Sequence, residues 1–449
     1  MGLEVKVDID RMIEDGKYKA LKEILQYLEP ADIVDLMEDL DPSKKIVIFR
    51  LLPKELAAQV FSEMEIEDQK KLISLFKEER LKSILEELDP DDRTILFEEL
   101  PANVVRKLLL YLPADERKKA LELLNYPPDS AGRLMTPEFV DLYIDMTVKE
   151  AMERIKRIAP EKETIYTCYV IDKTRKLLGV VELKDLILAD ENTKIGDLMN
   201  ERVVFVRTTD DQEKVVQLMK KYDLIAIPVV DSEDRLVGIV TIDDVLDVME
   251  EETDEDIQRM FAVQRVEAPY LRTNIRTLIF KRIWWLIGLM FLEAISGSVI
   301  KRYEALIQSS VALSFFLPTM IGTGGNAGSQ VSSLIIRGIA TGEITLSDTF
   351  KIVLRESFIG IVLGVTLGFA LYFRAYLLVR DTAIGIAVSF ALAIVVFYAN
   401  FLGAILPLIA KKINLDPAMM AGPFMTTLVD ISGIIIYFLT TTKILQILR

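Results

Sequence analysis

The 449-residue chain has no histidine and one cysteine. Without imidazole or paired thiolates there are no ligands for the usual zinc, copper and iron sites, so any bound metal is a hard cation held by carboxylate, amide, hydroxyl or carbonyl oxygen. A lone cysteine also excludes an intrachain disulfide, which suits a reducing compartment. Cys168 lies in the apolar run Ile165-Tyr-Thr-Cys-Tyr-Val-Ile171, the setting of a buried structural thiol. No Gly-x-x-x-x-Gly-Lys-Ser/Thr loop is present to grip a nucleotide triphosphate and drive a pump, and nothing else suggests an enzyme. The N-terminus, with Glu4, Asp8 and Asp10, has neither a basic n-region nor an apolar h-region, so the front of the chain is expected to stay in the cytosol.

What is present is unevenly distributed. Residues 1–280 carry 61 acidic against 41 basic side chains, and residues 281–449 carry 8 against 13. An acidic soluble body is thus joined to an apolar, slightly basic one, and a nucleic-acid partner is excluded by the sign of the charge. Up to about Asn125, short apolar-periodic segments are punctuated at Glu29-Pro30, Asp41-Pro42, Leu52-Pro53, Glu65-Ile66, Lys77-Glu78, Asp89-Pro90, Leu100-Pro101 and Leu112-Pro113, roughly every twelve residues. Each acidic or polar residue followed by proline reads as an N-cap and first-helical-residue pair, and each stretch that follows a mark has one apolar helical face. The repetition predicts an α-solenoid of short stacked helices rather than a plain bundle.

Residues 131–252 form a tandem repeat of strands and helices. Leu134-Met135 matches Leu198-Met199, Tyr169-Val-Ile-Asp172 matches Pro228-Val-Val-Asp231, and Leu177-Leu-Gly-Val-Val-Glu-Leu-Lys-Asp-Leu186 matches Leu236-Val-Gly-Ile-Val-Thr-Ile-Asp-Asp-Val245. These residues resemble a pair of α/β CBS domains, a regulatory module whose two copies pack as one unit and often dimerise. Such pairs hold adenine nucleotides on a Gly-x-x-Thr/Ser-x-x-Asp turn. The second copy has it as Gly238, Thr241 and Asp244; the first has Gly179 and Asp185, but Glu182 at the hydroxyl position would repel phosphate.

A charged, helical linker is expected from Glu250 to about Thr277. Apolar segments then follow near 283–300, 305–336, 352–378, 383–410 and 419–445, each long enough to span a bilayer. Arg272, Arg276, Lys281 and Arg282 favour a cytosolic front, while the later loops are balanced in charge. The second segment contains Leu317-Pro-Thr-Met-Ile-Gly-Thr-Gly-Gly-Asn-Ala-Gly-Ser-Gln330, a polar interruption that must face protein or a water-filled path. Asn326 and Gln330 share a helical face, and the glycines serve either close helix packing or the approach of a hydrated ion.

The last segment holds Met425-Thr-Thr-Leu-Val-Asp-Ile-Ser-Gly433, with no basic residue near Asp430 in sequence. An intramembrane carboxylate is costly and marks an ion path, unless neighbouring hydroxyls hold it for packing alone. Thr426 shares its face, and in a symmetric oligomer one Asp430 per copy would ring a hydrated divalent cation such as magnesium, which gives up water reluctantly. Glu293 and Glu356 are lesser candidates. Asp243, Asp244, Asp247, Glu250, Glu251, Glu252, Asp254, Glu255 and Asp256 crowd the end of the second repeat and the linker, either as a solvated face or as groups whose repulsion divalent cations relieve.

An acidic helical domain, a CBS pair, a linker helix and five spans bearing Gly-Thr-Gly-Gly-Asn-Ala-Gly-Ser-Gln and Thr-Leu-Val-Asp-Ile-Ser-Gly resemble the MgtE family of magnesium channels over essentially the full length. The resemblance implies domains at 1–130, 131–195 and 196–252, a plug helix at 253–277 and a five-helix pore domain at 278–449. It implies a homodimer in the cell's inner (plasma) membrane, with cytoplasmic N-terminal domains and a pore near the subunit interface. Asp430 would bind the ion there, among Asn326, Gln330, Gly325, Gly328, Thr426 and Gly433. Cytosolic Mg2+ would shut the pore by bridging sensor carboxylates, for which Asp91, Asp92, Asp211, Glu213, Asp223, Asp244, Asp247, Glu250, Glu252, Glu255 and Asp256 stand at matching positions. Gln59 and Ile95 stand where other members carry carboxylates, which implies fewer metal sites. Mg2+ and an adenine nucleotide are the implied ligands. The rival readings are a CBS-regulated anion channel and a membrane-anchored magnesium or nucleotide receptor without a pore.

Overall fold

The computed structural model describes residues 9–38, 40–266, 270 and 273–448. Two compact units divide the chain, Met1–Met249 and Glu250–Arg449. In the first, among the described residues, nine helices of eight to ten residues begin at twelve-residue intervals from Tyr18 to Ala114, and alternate helices pack against one another. Their apolar faces make one core that includes Phe49, Phe61 and Phe97.

The prolines fall into two groups. Pro30, Pro42 and Pro90 are first helical residues, but Pro53, Pro101 and Pro113 are themselves the capping residues, and none of these caps donates or accepts a side-chain bond. Proline is competent there because its fixed φ suits the extended entry into a helix. Carbonyls at the opposite ends are satisfied by long polar side chains. Gln69 donates to Phe61 O (2.7 Å) and Met64 O (3.0 Å), Arg93 to Leu85 O (3.0 Å), and Arg117 to Leu109 O (2.7 Å) and Leu112 O (3.0 Å). Each occupies the fourth position of its helix and seals the end of the one before, every second helix. The structural unit is therefore a helix pair.

The tandem repeat folds into two three-stranded sheets. In the first, β1 (Val140–Tyr143) lies parallel to β2 (Thr167–Ile171), which is antiparallel to β3 (Leu177–Glu182). In the second, β4 (Val206–Arg207), β5 (Ala226–Val230) and β6 (Leu236–Thr241) repeat that order. The two copies are interleaved. Ala131, Leu134 and Met135 pack into the core of β4–β6, whereas Ile195, Leu198 and Met199 pack with β1–β3. Thr136 N donates to Ile239 O (2.8 Å) and Asn200 N to Val180 O (2.9 Å), the same join made twice. Cys168 is fully buried, and burial pushes its thiol up to about 12, so it is structural and inert.

The second unit has five long helices: α1 (Ile275–Arg302), α2 (Leu317–Ala340), α3 (Thr349–Val379), α4 (Thr382–Lys412) and α5 (Gly422–Leu448). Four of them, α1, α3, α4 and α5, lie in segments long and apolar enough to cross a membrane. The polar glycine stretch in α2 is what keeps that helix from meeting the same standard. The expected single segment 305–336 is broken, but not where the glycines suggested. A short helix Glu304–Ser309 and a 3-10 stretch Val311–Phe316 precede α2, and the glycine-rich stretch is continuous helix. Close packing of α2 against both α4 and α5 compensates the low helix propensity of its glycines. Helix α1, by contrast, buries only Ser296.

The linker also departs from expectation. A helix runs from Ile242 to Met260 and stops there. Ala262 is left-handed (φ +58°), with Ala262 N bonded to Arg259 O and Val263 N to Gln258 O (both 2.9 Å), a Schellman-like end. Residues 263–266 and 273–274 are not helical, and the positive-inside signal at Arg272 lies outside the described residues.

Candidate ion path and acidic faces

Asp430 sits two turns into α5, where its Oδ1 is buried and none of the described residues donates a hydrogen bond to it. Gly325 of α2 lies directly opposite: a Cβ built there would be 3.1 Å from Thr426 Cγ2 and 3.6 Å from Asp430 Oδ1. Only a residue without a side chain leaves that much room beside the carboxylate. The hydroxyls of Thr426, Thr427 and Ser432 donate to carbonyls of their own helix, at 2.9, 2.9 and 2.6 Å. Their protons are thereby occupied and only lone pairs remain, so Thr426 and Thr427, four and three residues before Asp430 on the same side of α5, offer acceptors, which suits a cation or the waters around it.

Other sequence-named residues lie elsewhere. Gly328 packs against Met425 and Val429, and Gly433 faces Val395 of α4, so both serve packing within one chain. Asn326 and Gln330 are exposed on the face of α2 turned away from these contacts, whereas Glu293, exposed on α1, stands within electrostatic reach of Asp430. Glu356 is half-buried on α3.

In the first unit, the helix Pro90–Glu98 carries Asp91 and Asp92 in its first turn, after Asp89 at its cap. Folding brings these within electrostatic reach of Asp243 and Asp244, at the start of the linker helix, and of Glu163. None of the six has an ion pair to a basic side chain among the described residues. Burial, reinforced by neighbouring carboxylates, pushes Asp92 to about 6, Glu163 to about 7 and Asp244 to about 8, and Asp91 is also raised well above the usual range. Among the described residues the one cation acting on the group is Arg93, beside Asp89, so the carboxylates outnumber their counter-charge. Among the described residues no three acidic, cysteine or histidine side chains converge as a ready-made ligand set. The arrangement therefore fits an ion that keeps most of its water and touches one or two carboxylates, as magnesium does.

Sequence reading missed Glu163, which lies in the polar loop after the helix Val148–Ile158 and has no local signature. Asp211 and Asp223 have evident structural duties. Asp211 caps the helix Gln212–Tyr222 by accepting from Glu213 N (2.9 Å), and Asp223 ends it in a left-handed conformation (φ +51°). Asp211, Glu213 and Asp223 are exposed and do not join the Asp91 group, and Asp247 and Glu250 are also exposed. Gln59 and Ile95 are exposed on the solenoid. In the nucleotide-type turn, Thr241 Oγ1 donates to Asp244 Oδ2 (2.8 Å) and Gly238 packs on Met135, while Asp185 is half-buried.

At the far end of the linker, in the second unit, Glu255 is buried and contacted by Arg259 and Arg265, and Glu252 is half-buried. Arg259 also pairs with Asp416, the cap of the 3-10 turn Pro417–Met420. Burial first, then Asp416 and Glu252, pushes Asp256 up to about 6.

A helical membrane module with an acceptor-lined carboxylate, joined to a solenoid and a CBS pair with unpaired acidic faces, defines the class of regulated cation transporters. Comparison with known proteins agrees throughout the chain. Residues 28–129 match the MgtE intracellular N domain, residues 131–192 and 195–251 match CBS domains, and residues 317–440 match the MgtE divalent cation transporter family. The chain is 38% identical over 446 residues to the magnesium transporter MgtE of Thermus thermophilus, covering 99% of each, and 37% identical to that of Enterococcus faecalis, covering 71% of this chain and 69% of the relative. A solved cytosolic domain of the Mg2+ channel MgtE in complex with ATP is 41% identical, with a TM-score of 0.53, over 54% of this chain and 99% of that one. The soluble part of a magnesium transporter is 33% identical, with a TM-score of 0.53, over 56% and 98%. The chain belongs to the MgtE family of divalent cation transporters.

Proposed function

We propose that the protein is a magnesium channel of the cell membrane, conducting Mg2+ passively into the cell and gated shut by cytosolic Mg2+. The observation that carries the reading is the Asp430 carboxylate, unpartnered at Oδ1 and set against Gly325 and the acceptor face of α5. A hydrated magnesium ion would contact Asp430 and exchange hydrogen bonds through its waters with the Thr426 oxygen. The exposed face of α1 and the outward amides Asn326 and Gln330 support a homodimer in which a second copy completes the path.

The division of labour follows the chain. Residues 1–130 and the CBS pair at 131–252 form the cytoplasmic sensor, the linker transmits, and 278–449 conducts, with no covalent chemistry. In the sensor, Asp91, Asp92 and Asp244, joined by Asp89, Asp243 and Glu163, would be drawn together by Mg2+ and separate by repulsion without it. Asp211, Glu213, Asp223, Asp247 and Glu250 would serve as outlying ligands, and Glu252, Glu255 and Asp256 as ligands on the linker. An adenine nucleotide is a second regulatory ligand for the turn of Gly238, Thr241 and Asp244, where its ribose would compete with Thr241 for the Asp244 carboxylate.

The test is Mg2+ influx into proteoliposomes carrying wild-type protein or Asp430→Asn, at low and at millimolar magnesium on the sensor side. Influx at low magnesium that falls at high magnesium and is lost in the variant supports the reading. Anion flux that survives Asp430→Asn points to an anion channel, and no flux under any gradient points to a receptor without a pore.

A further inference from the structure

The end of the linker helix is clasped onto the segment before α5 by three kinds of contact. Arg259 lies between two carboxylates, pairing with Glu255 one turn back on its own helix and with Asp416 across the chain. Arg265, in the irregular segment that follows, grips Glu251 at 3.1 Å and the same Glu255 at 3.4 Å. Met260 packs with Ala418, Ala421 and Ile336 of α2. Beneath it, Gly422 opens α5 with φ +44°, and a Cβ there would come 2.2 Å from Met260 O. Any other residue at 422 would therefore force the two backbones apart.

The charges at this clasp are partly balanced without metal. Glu251, Glu255, Asp256 and Asp416 contribute four negative charges, and Arg259 and Arg265 two positive ones. Asp256 has no ion pair among the described residues. A guanidinium is always charged and its planar fork can bridge two carboxylates, so it can hold a position that would otherwise demand a bound cation. Asp416 is oriented for this, because its other oxygen accepts from Ala418 N (2.8 Å).

We propose that Arg259 is a tethered cation that latches the linker helix to the 416–422 segment at the foot of α5, so that part of the closing force is present before any divalent ion binds. The inference rests on the reading that the docked linker helix closes the ion path. Magnesium then adds to a latch that is already half made, and the concentration at which the path closes is set by how much of the docking the arginine already provides.

The test is amide hydrogen exchange of residues 257–264 in the full chain, in detergent micelles, with chelator and with millimolar magnesium. These amides include Val263 N on Gln258 O and Gln264 N on Lys281 O. Under chelator the wild type is expected to keep them protected. Arg259→Gln and Asp416→Asn, the latter keeping an acceptor for the Ala418 cap, should each lower protection by about threefold to tenfold, the range of a partly buried ion pair. The double variant should lose no more than Arg259→Gln alone, since the pair with Asp416 is already gone in that single variant. Magnesium should restore protection in all three. Unchanged protection in the single variants under chelator, or docking at lower magnesium than the wild type needs, overturns the latch. Liposome flux measured in parallel keeps the two ideas apart. If protection falls as expected but influx at low magnesium does not rise, the latch stands and the gating role of the linker fails.

Discussion

Asp430 is costly where it stands, inside a helix of apolar residues, and its position is intelligible only with its surroundings. Gly325 leaves space beside it and the hydroxyls of α5 are turned into acceptors. Replacing Asp430 by Asn keeps the shape and removes the charge, and is expected to lower Mg2+ influx by at least about a hundredfold, since the hydrated ion loses its only formal countercharge on this helix in a low-dielectric setting. Gly325→Ala places a methyl 3.1 Å from Thr426 Cγ2 and should reduce influx several-fold while leaving the magnesium concentration for closure unchanged, which a flux titration reads directly. The sensor carboxylates predict a pH effect of defined sign. Raised values mean that the folded unit binds more protons than the unfolded chain, so metal-free stability falls as pH rises through the interval from about 4 to about 8. Thermal unfolding of the protein in chelator should show a decreasing midpoint across that interval, and millimolar magnesium should flatten the slope.

Among the elements, the solenoid helices are short, and Gln69, Arg93 and Arg117 hold the end carbonyls of every second one. Arg93 shows how strongly: its side chain is fully buried, spent on Leu85 O and on Glu116 at 2.5 Å. Arg93→Ala should cost about 3 kcal/mol, because it strands the buried carbonyl, empties a packed site and leaves Glu116 with Lys119 alone, and urea unfolding of the purified protein measures it. At the other end of the chain, the seat made by Gly422 predicts that Gly422→Ala lifts Met260 from its cluster. Protection of residues 257–264 should then fall even in magnesium, which separates this steric change from the loss of the arginine latch. Helix α2 illustrates how local and tertiary preferences compete. Its glycines read as an interruption, yet packing against α4 and α5 keeps it helical and moves the break to residues 309–316.

For the whole molecule, removing residues 1–249 should leave a path that conducts Mg2+ but no longer closes in millimolar magnesium, as read by liposome flux. Continued closure would place the sensor elsewhere. The architecture was legible from spacing alone: a twelve-residue punctuation, a matched tandem repeat and long apolar runs each follow from local rules of capping, alternation and hydrophobic length. So was Asp430, because a charge in an apolar run announces itself. The helix pair as the unit of the solenoid was not, since the bonds of Gln69, Arg93 and Arg117 join residues eight positions apart across a turn. Nor was the interleaving of the CBS copies, in which each opening segment packs into the other sheet. Glu163 joins Asp91 and Asp244, and Asp416 joins Arg259, across long stretches of chain. Composition and periodicity determine which surfaces must be buried and which segments must be helix, strand or span. Which charges then face one another depends on close packing between distant segments, and only the tertiary structure decides that.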